Sequence, residues 1–121
     1  YLAPGVDPLV YARALTAGGV ALVLVTCGAD GTWVITAAGE LLVPAQRIEV
    51  ADTIGAGDSF GGGFLTWWLG AGFGRSQLAD PALAAQVTAA AQAVAGITCR
   101  RVGADPPRRA ELPDDWHVPR P

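Results

Sequence analysis

The apolar residues of this chain change their spacing several times, and each change marks a boundary. Leu9, Tyr11, Ala12 and Leu15 follow Asp7-Pro8 at helical intervals and stop at Gly18-Gly19. This predicts a short helix with Asp7 as N-cap and Pro8 as first residue. Residues 20–26 form a β-branched and Leu run without polar alternation, the pattern of a central strand covered on both faces. After a turn from Gly28 to Gly31, residues 32–37 and 40–44 read as a hairpin around Ala38-Gly39, and 47–50 as a further short strand.

Phe60, Phe64, Trp67 and Trp68 then line one helical face, predicting a helix from about Gly57 to the stop at Gly70-Ala71-Gly72. Gly61, Gly62 and Gly63 lie inside it. Each costs about 1 kcal/mol relative to Ala in a helix interior, so a packed helix or a ligand must need close approach there. Asp80-Pro81 repeats the N-cap signal, and Leu83, Val87, Ala90, Val94 and Ile97 predict a long Ala-rich helix. From Arg100 the chain is rich in Pro, Arg and Asp and reads as a surface tail with a tight turn at Gly103.

The length of 121 residues, with 51% hydrophobic and 16% charged positions, fits one domain with a core. A formal net charge of -3 offers no basic surface for nucleic acid or anionic lipid. The longest apolar run, 20–27, is far short of the roughly 20 residues that cross a bilayer, so no membrane span is expected. No secretory leader is legible at the N-terminus, and a cytoplasmic setting is expected. Cys27 and Cys99 have no metal-ligand spacing and read as buried thiols. All eight basic residues are Arg, and without Lys neither a Walker A loop nor a Schiff-base enzyme can be built from this chain. It has no Met, which points to a piece of a longer protein.

The densest candidate chemistry is Asp52-Thr53-Ile54-Gly55-Ala56-Gly57-Asp58-Ser59-Phe60, a glycine-bearing loop entering the aromatic helix. Free amides and the macrodipole at a helix N-terminus attract anions, and small residues at 55–57 let phosphate oxygens approach the backbone. Asp58 would repel that anion. Its placement makes sense if it removes a proton from a hydroxyl nucleophile during phosphoryl transfer, the alternative being a helix cap. A dinucleotide fingerprint fails because Phe60 stands where the third glycine belongs. Gly57-Asp58-Ser59-Phe60-Gly61 does match the G-x-S-x-G nucleophile elbow, with His117 as a lone candidate base.

The nine-residue run 52–60 resembles the second signature of the PfkB, or ribokinase-like, carbohydrate kinases, D-T-x-G-A-G-D-x-F. Val25-Thr26-Cys27-Gly28-Ala29-Asp30-Gly31 resembles that family's strand and nucleotide loop, and Cys99-Arg100-Arg101-Val102-Gly103-Ala104 its C-terminal Gly-Ala loop. The resemblance implies an α/β fold, part of a three-layer α/β/α sandwich with a central, mostly parallel sheet. It implies residues 1–107 as the C-terminal part of a kinase domain and 108–121 as a tail. Asp58 would be the catalytic base, and Gly55, Ala56 and Gly57 the anion hole. Thr26, Cys27, Gly28, Ala29, Asp30, Gly31, Gly57 and Gln92 would contact ATP. Asp52, with main-chain oxygens of Ile54, Thr98, Arg101 and Gly103, would hold a potassium-type cation, although Pro107 stands where a Ser can complete that cage.

Such a kinase would use ATP, Mg2+ and K+ on a sugar, fructose first, and could dimerise at full length. The piece itself lacks most of the sugar site and is expected to be inactive alone. The other readings are a non-catalytic nucleotide-binding remnant and a hydrolase built on Ser59.

Overall fold

The computed structural model describes residues 5–116. Helix α1 spans Pro8–Ala17, and a three-stranded sheet follows, made of β1 (Val23–Thr26), β2 (Thr32–Thr36) and β3 (Gly39–Val43). Helices α2 (Ala56–Gly70) and α3 (Pro81–Cys99) complete the core, and single 3-10 turns lie at Gly28–Asp30, Arg75–Ala79 and Arg109–Glu111.

Local chemistry explains the boundaries. Asp7 accepts from the Leu9 and Val10 amides at 2.8 and 3.3 Å, and Asp80 from those of Ala82 and Leu83 at 3.0 and 3.1 Å. Each cap satisfies amides that a helix start leaves without partners, and a Pro follows at the first helical position. The hairpin turns on a buried threonine, because Thr36 Oγ1 accepts from the Ala38 and Gly39 amides at 3.2 Å each. Arg13 then ties α1 to β3 through a bidentate pair with Glu40, at 2.6 and 2.9 Å.

The sheet departs from the sequence-based expectation. Both strand pairings are antiparallel, in the order β1-β2-β3. The strand buried on both faces is β2, where Val34 and Ile35 are 0% and 1% exposed, and not the 20–26 run. The reason is position: β2 has a neighbour on each edge and is packed by α1 and α3, whereas β1 pairs on one edge only among the described residues. The run is also shorter than expected, since Val20 is exposed and β1 begins at Val23. Residues 47–50 form no strand.

Helices α2 and α3 meet along a seam of small and β-branched residues. On α3 the buried positions are Ala84, Val87, Thr88, Ala91, Val94 and Thr98, a helical stripe. Gly63 faces it from α2, and a Cβ there would lie 3.0 Å from Val94 Cγ2 and 3.3 Å from Ala91 Cα. Close helix packing therefore accounts for Gly63. A Cβ at Gly61 or Gly62 would meet nothing within 4 Å. Beyond the seam, Phe64 stacks on Trp68 at 5.5 Å and Phe73 meets Trp68 edge-on at 5.3 Å.

Three further expectations are corrected. The C-terminal stretch is not wholly surface: Trp116 is buried in the α2–α3 core, and its indole donates to the Ala90 carbonyl at 2.9 Å. A large aromatic with one polar atom can be buried once that atom has a partner, which Pro-rich surroundings hid. The cysteines are unpaired, but Cys27 is exposed and Cys99 half-buried, because both stand at strand and helix ends rather than inside the core. Finally, α3 at 19 residues is long and apolar enough by composition to cross a membrane, contrary to the estimate from uninterrupted runs. Ala and Gly give it that hydropathy, and one of its faces is occupied by α2 and the hairpin.

The seam yields a paired prediction. Gly63→Val should destabilise the protein by about 2 kcal/mol through overpacking against Val94, whereas Gly61→Ala should stabilise it by up to about 1 kcal/mol. Urea unfolding of both variants measures this; equal effects would refute the seam.

Candidate active site

The loop at 52–55 is held by the C-terminal end of α3. The Cys99 carbonyl accepts from the Ala51 and Asp52 amides at 2.8 and 3.1 Å. Asp52 answers in the other direction: Oδ1 accepts from the Ile54 amide at 3.0 Å and Oδ2 from the Gly103 amide at 2.9 Å. These backbone donors, Ile54 first and then Gly103, hold the Asp52 carboxyl below its ordinary range.

Gly55 follows in the left-handed region, with φ at +78°, and a Cβ there would lie 2.8 Å from Ala104 Cβ. Only glycine fits both the backbone and the contact. The turn delivers the chain into α2 with no side-chain cap. At that end the Ala56 amide is spent on the Thr53 carbonyl at 3.2 Å, and the Ser59 amide begins the helical ladder on Gly55 at 2.9 Å. The Gly57 and Asp58 amides have no protein acceptor among the described residues. Two free amides at a helix N-terminus have the geometry to receive an anion, whereas the Ala56 amide, read from the sequence as part of the same hole, is engaged by Thr53. Asp58 stands exposed in the first turn and makes no capping hydrogen bond among the described residues, so the cap alternative has no support.

Two clefts meet at this helix end. One, of about 550 Å³, runs between the hairpin, α3 and the start of α2. Of the residues assigned to nucleotide contact, Thr26, Gly28, Ala29, Gly31, Gly57 and Gln92 line it, while Cys27 and Asp30 do not. Cys27 and Asp30 serve the loop itself: the Cys27 amide donates to Gly31 at 2.8 Å and the Asp30 amide to Cys27 at 3.0 Å. Gly31 has φ at +99°, and any side chain there would collide with the Val43 carbonyl. Gln92 also works structurally, its amide nitrogen donating to Thr32 Oγ1 at 3.1 Å and to the Val43 carbonyl at 3.0 Å, which locks α3 to the hairpin.

Arg47, Ile48, Gly96 and Cys99 line the same cleft and were not anticipated. The 45–50 segment carries no periodicity that could have announced it. The second cleft, of about 540 Å³, lies on the other side of α2 and is lined by Gly55, Asp58, Thr66, Val94 and Trp116 among others.

The residues assigned to a cation come together in part. Asp52, Ile54 and Gly103 are joined by the hydrogen bonds above. The Thr98 carbonyl accepts from the Arg101 amide at 3.1 Å and that of Gly103 from the Asp105 amide at 3.0 Å. Those of Ile54 and Arg101 accept nothing among the described residues. Carbonyls keep a second lone pair, so this all-oxygen set fits a hard cation. No cluster of three His, Cys, Asp or Glu side chains exists among the described residues.

Ser59 is not a nucleophile on a turn. It is the fourth residue of α2, is buried, and lies 2.8 Å from the Thr98 hydroxyl. An elbow serine must be exposed at a strand-to-helix turn, which this position is not. His117 lies outside the described residues.

The family model for pfkB carbohydrate kinases matches residues 7–110. The chain belongs to that family. An aminoimidazole riboside kinase of Salmonella typhimurium is 40% identical over 81 residues, covering 67% of this chain and 24% of that one. A fructokinase of Rhizobium leguminosarum bv. trifolii is 45% identical over 47 residues, covering 39% of this chain and 14% of the other. The solved structure of a Vibrio cholerae O395 fructokinase with fructose, ADP and calcium ion superposes with a TM-score of 0.68 at 25% identity, covering 82% of this chain and 31% of that one. This chain of the pfkB family thus superposes on part of a ribokinase-like kinase fold and spans about a quarter of the length of that riboside kinase.

The Asp52 bridge predicts a pH response. A carboxyl held below its ordinary value of 3.8 stabilises the loop above that pH and loses the contribution as pH falls through the lowered value. Amide exchange at Gly103, corrected for intrinsic pH dependence, should therefore accelerate below pH 3.8 and not between pH 5 and 7. Asp52→Asn should remove the step; an unchanged profile would refute the bridge.

Proposed function

We propose that this chain forms the nucleotide-binding and base-bearing part of a longer ATP-dependent sugar kinase. The observation that carries this reading is the pairing of two free helix-end amides with an exposed, uncapped Asp58, at the junction of two clefts. Bound ATP would supply the phosphoryl group. The chain's own part is to seat the nucleotide along the cleft of Gly28, Gly31 and Gln92, and to aim the Gly57 and Asp58 amides at the charge that builds on the transferring phosphoryl oxygens. Asp58 accepts the proton of the attacking sugar hydroxyl.

Magnesium would enter with the nucleotide phosphates; the described residues themselves offer it no carboxylate cluster. Potassium would sit among the Asp52, Ile54, Thr98, Arg101 and Gly103 oxygens, with Pro107 unable to offer a hydroxyl. Fructose is the first candidate acceptor, and an aminoimidazole riboside the second, following the names of the relatives. In the full-length enzyme the edge of β1 that has no partner among the described residues would pair with a parallel strand of a three-layer sandwich, and the 121 residues alone would not turn over sugar.

Two measurements on the full-length enzyme test the reading. Asp58→Asn should lower kcat by at least about a hundredfold while ATP still binds, as expected for loss of a general base with the anion site intact. Comparable turnover in variant and wild type would overturn the assignment. At constant ionic strength potassium should activate more than sodium, and Asp52→Ala should blunt the difference; equal rates in both salts would remove the cation from the scheme.

A further inference from the structure

The α2–α3 seam buries two threonines of α3: Thr88, whose hydroxyl has no partner among the described residues, and Thr98. Thr98, fully buried at the end of α3, donates its hydroxyl proton to Ser59 Oγ at 2.8 Å, across 39 positions of sequence. Thr98 Oγ1 also lies 3.3 Å from the Val94 carbonyl, one turn back on its own helix. Ser59 lines a cleft together with Gly63 and Val94. Replacing both partners of a buried hydrogen bond by apolar groups of similar shape is close to neutral for stability, so the pair contributes direction more than strength.

We propose that the Ser59–Thr98 hydroxyl pair is a positioning device for the phosphoryl-transfer site, fixing where the first turn of α2 sits along α3. This rests on the kinase reading of the preceding section. Ser59 is covalently next to Asp58, and Thr98 precedes Cys99, whose carbonyl accepts from the Ala51 and Asp52 amides. The other polar ties between the two segments, the Cys99 carbonyl and the Asp52 carboxylate, engage the loop before Gly55, and the close packing of Gly63 on Val94 and Ala91 lies one turn further along α2. Among the described residues the hydroxyl pair is the one side-chain hydrogen bond that engages α2 itself beyond the left-handed Gly55, on the turn that carries the base. A misplacement of about 1 Å at a reacting group can cost on the order of a hundredfold in rate, so a short directional bond here governs turnover out of proportion to its energy.

The test uses Ser59→Ala, Thr98→Val, the double variant and Thr98→Ser in the full-length enzyme. Each single variant should lose about tenfold in kcat with the KM for ATP within twofold, the double should lose no more than either single, and Thr98→Ser should recover most of the Thr98→Val loss. Amide hydrogen exchange supplies a readout independent of activity. Thr98→Val should accelerate exchange at the Ser59 and Phe60 amides of α2, and Ser59→Ala should accelerate it at Arg101 and Gly103 beyond α3. Losses that multiply in the double variant, or exchange effects confined to the substituted helix, would overturn the proposal. A wild-type enzyme that phosphorylates no sugar would defeat the kinase reading, and hydrogen exchange would still decide whether the pair couples the helices.

Discussion

One carboxylate holds the site together. Asp52 receives the Ile54 amide on one oxygen and the Gly103 amide on the other, and so closes its own loop while fastening it to the segment beyond α3. Every later feature inherits that constraint. With the two loops fixed, Gly55 rests against Ala104 in a conformation open only to glycine, and the chain enters α2 without a side chain available to cap it. Free amides at Gly57 and Asp58 are the result, and they are an asset only where an anion is to be received.

Packing supplies the rest of the precision. Gly63 allows α2 to lie close on Val94 and Ala91, which brings the N-terminal turn of α2 and the C-terminal turn of α3 to the same end of the seam. The hairpin is fastened to α3 by Gln92 and to α1 by the Arg13–Glu40 pair. The exposed ion pair contributes little to stability. The partly buried Gln92 amide, donating to Thr32 and Val43, fastens α3 to the hairpin on the wall of the 550 Å³ cleft.

Much of this was legible in the letters, unevenly. Asp7-Pro8 and Asp80-Pro81 announced their helices because N-capping is local chemistry, and the helical spacing of the aromatics from Phe60 to Trp68 announced α2, which has no side-chain cap. The 52–60 run pointed to the family, and the family match over 7–110 bears that out. The sheet was less legible, since the strand content of 20–26 does not say which edge it occupies or which direction its neighbour runs. The placing of Trp116 in the core, and of 45–50 along the cleft, depends on contacts distant in sequence that no short-range pattern encodes. Gln92 was read as a ligand contact and lines the cleft, but its amide is committed to the hairpin, a role visible only once β3 is in place.

The central claim is that the α2 N-terminus receives the transferring phosphoryl group, with the nucleotide along the 550 Å³ cleft. The most direct measurement is a structure of the full-length protein with a non-hydrolysable ATP analogue. The account predicts the terminal phosphate within hydrogen-bond distance of the Gly57 and Asp58 amides, and the nucleoside portion between the Gly28–Gly31 loop and the α3 face that carries Gln92 and Gly96. A nucleotide bound elsewhere, with those two amides facing only solvent, would contradict it.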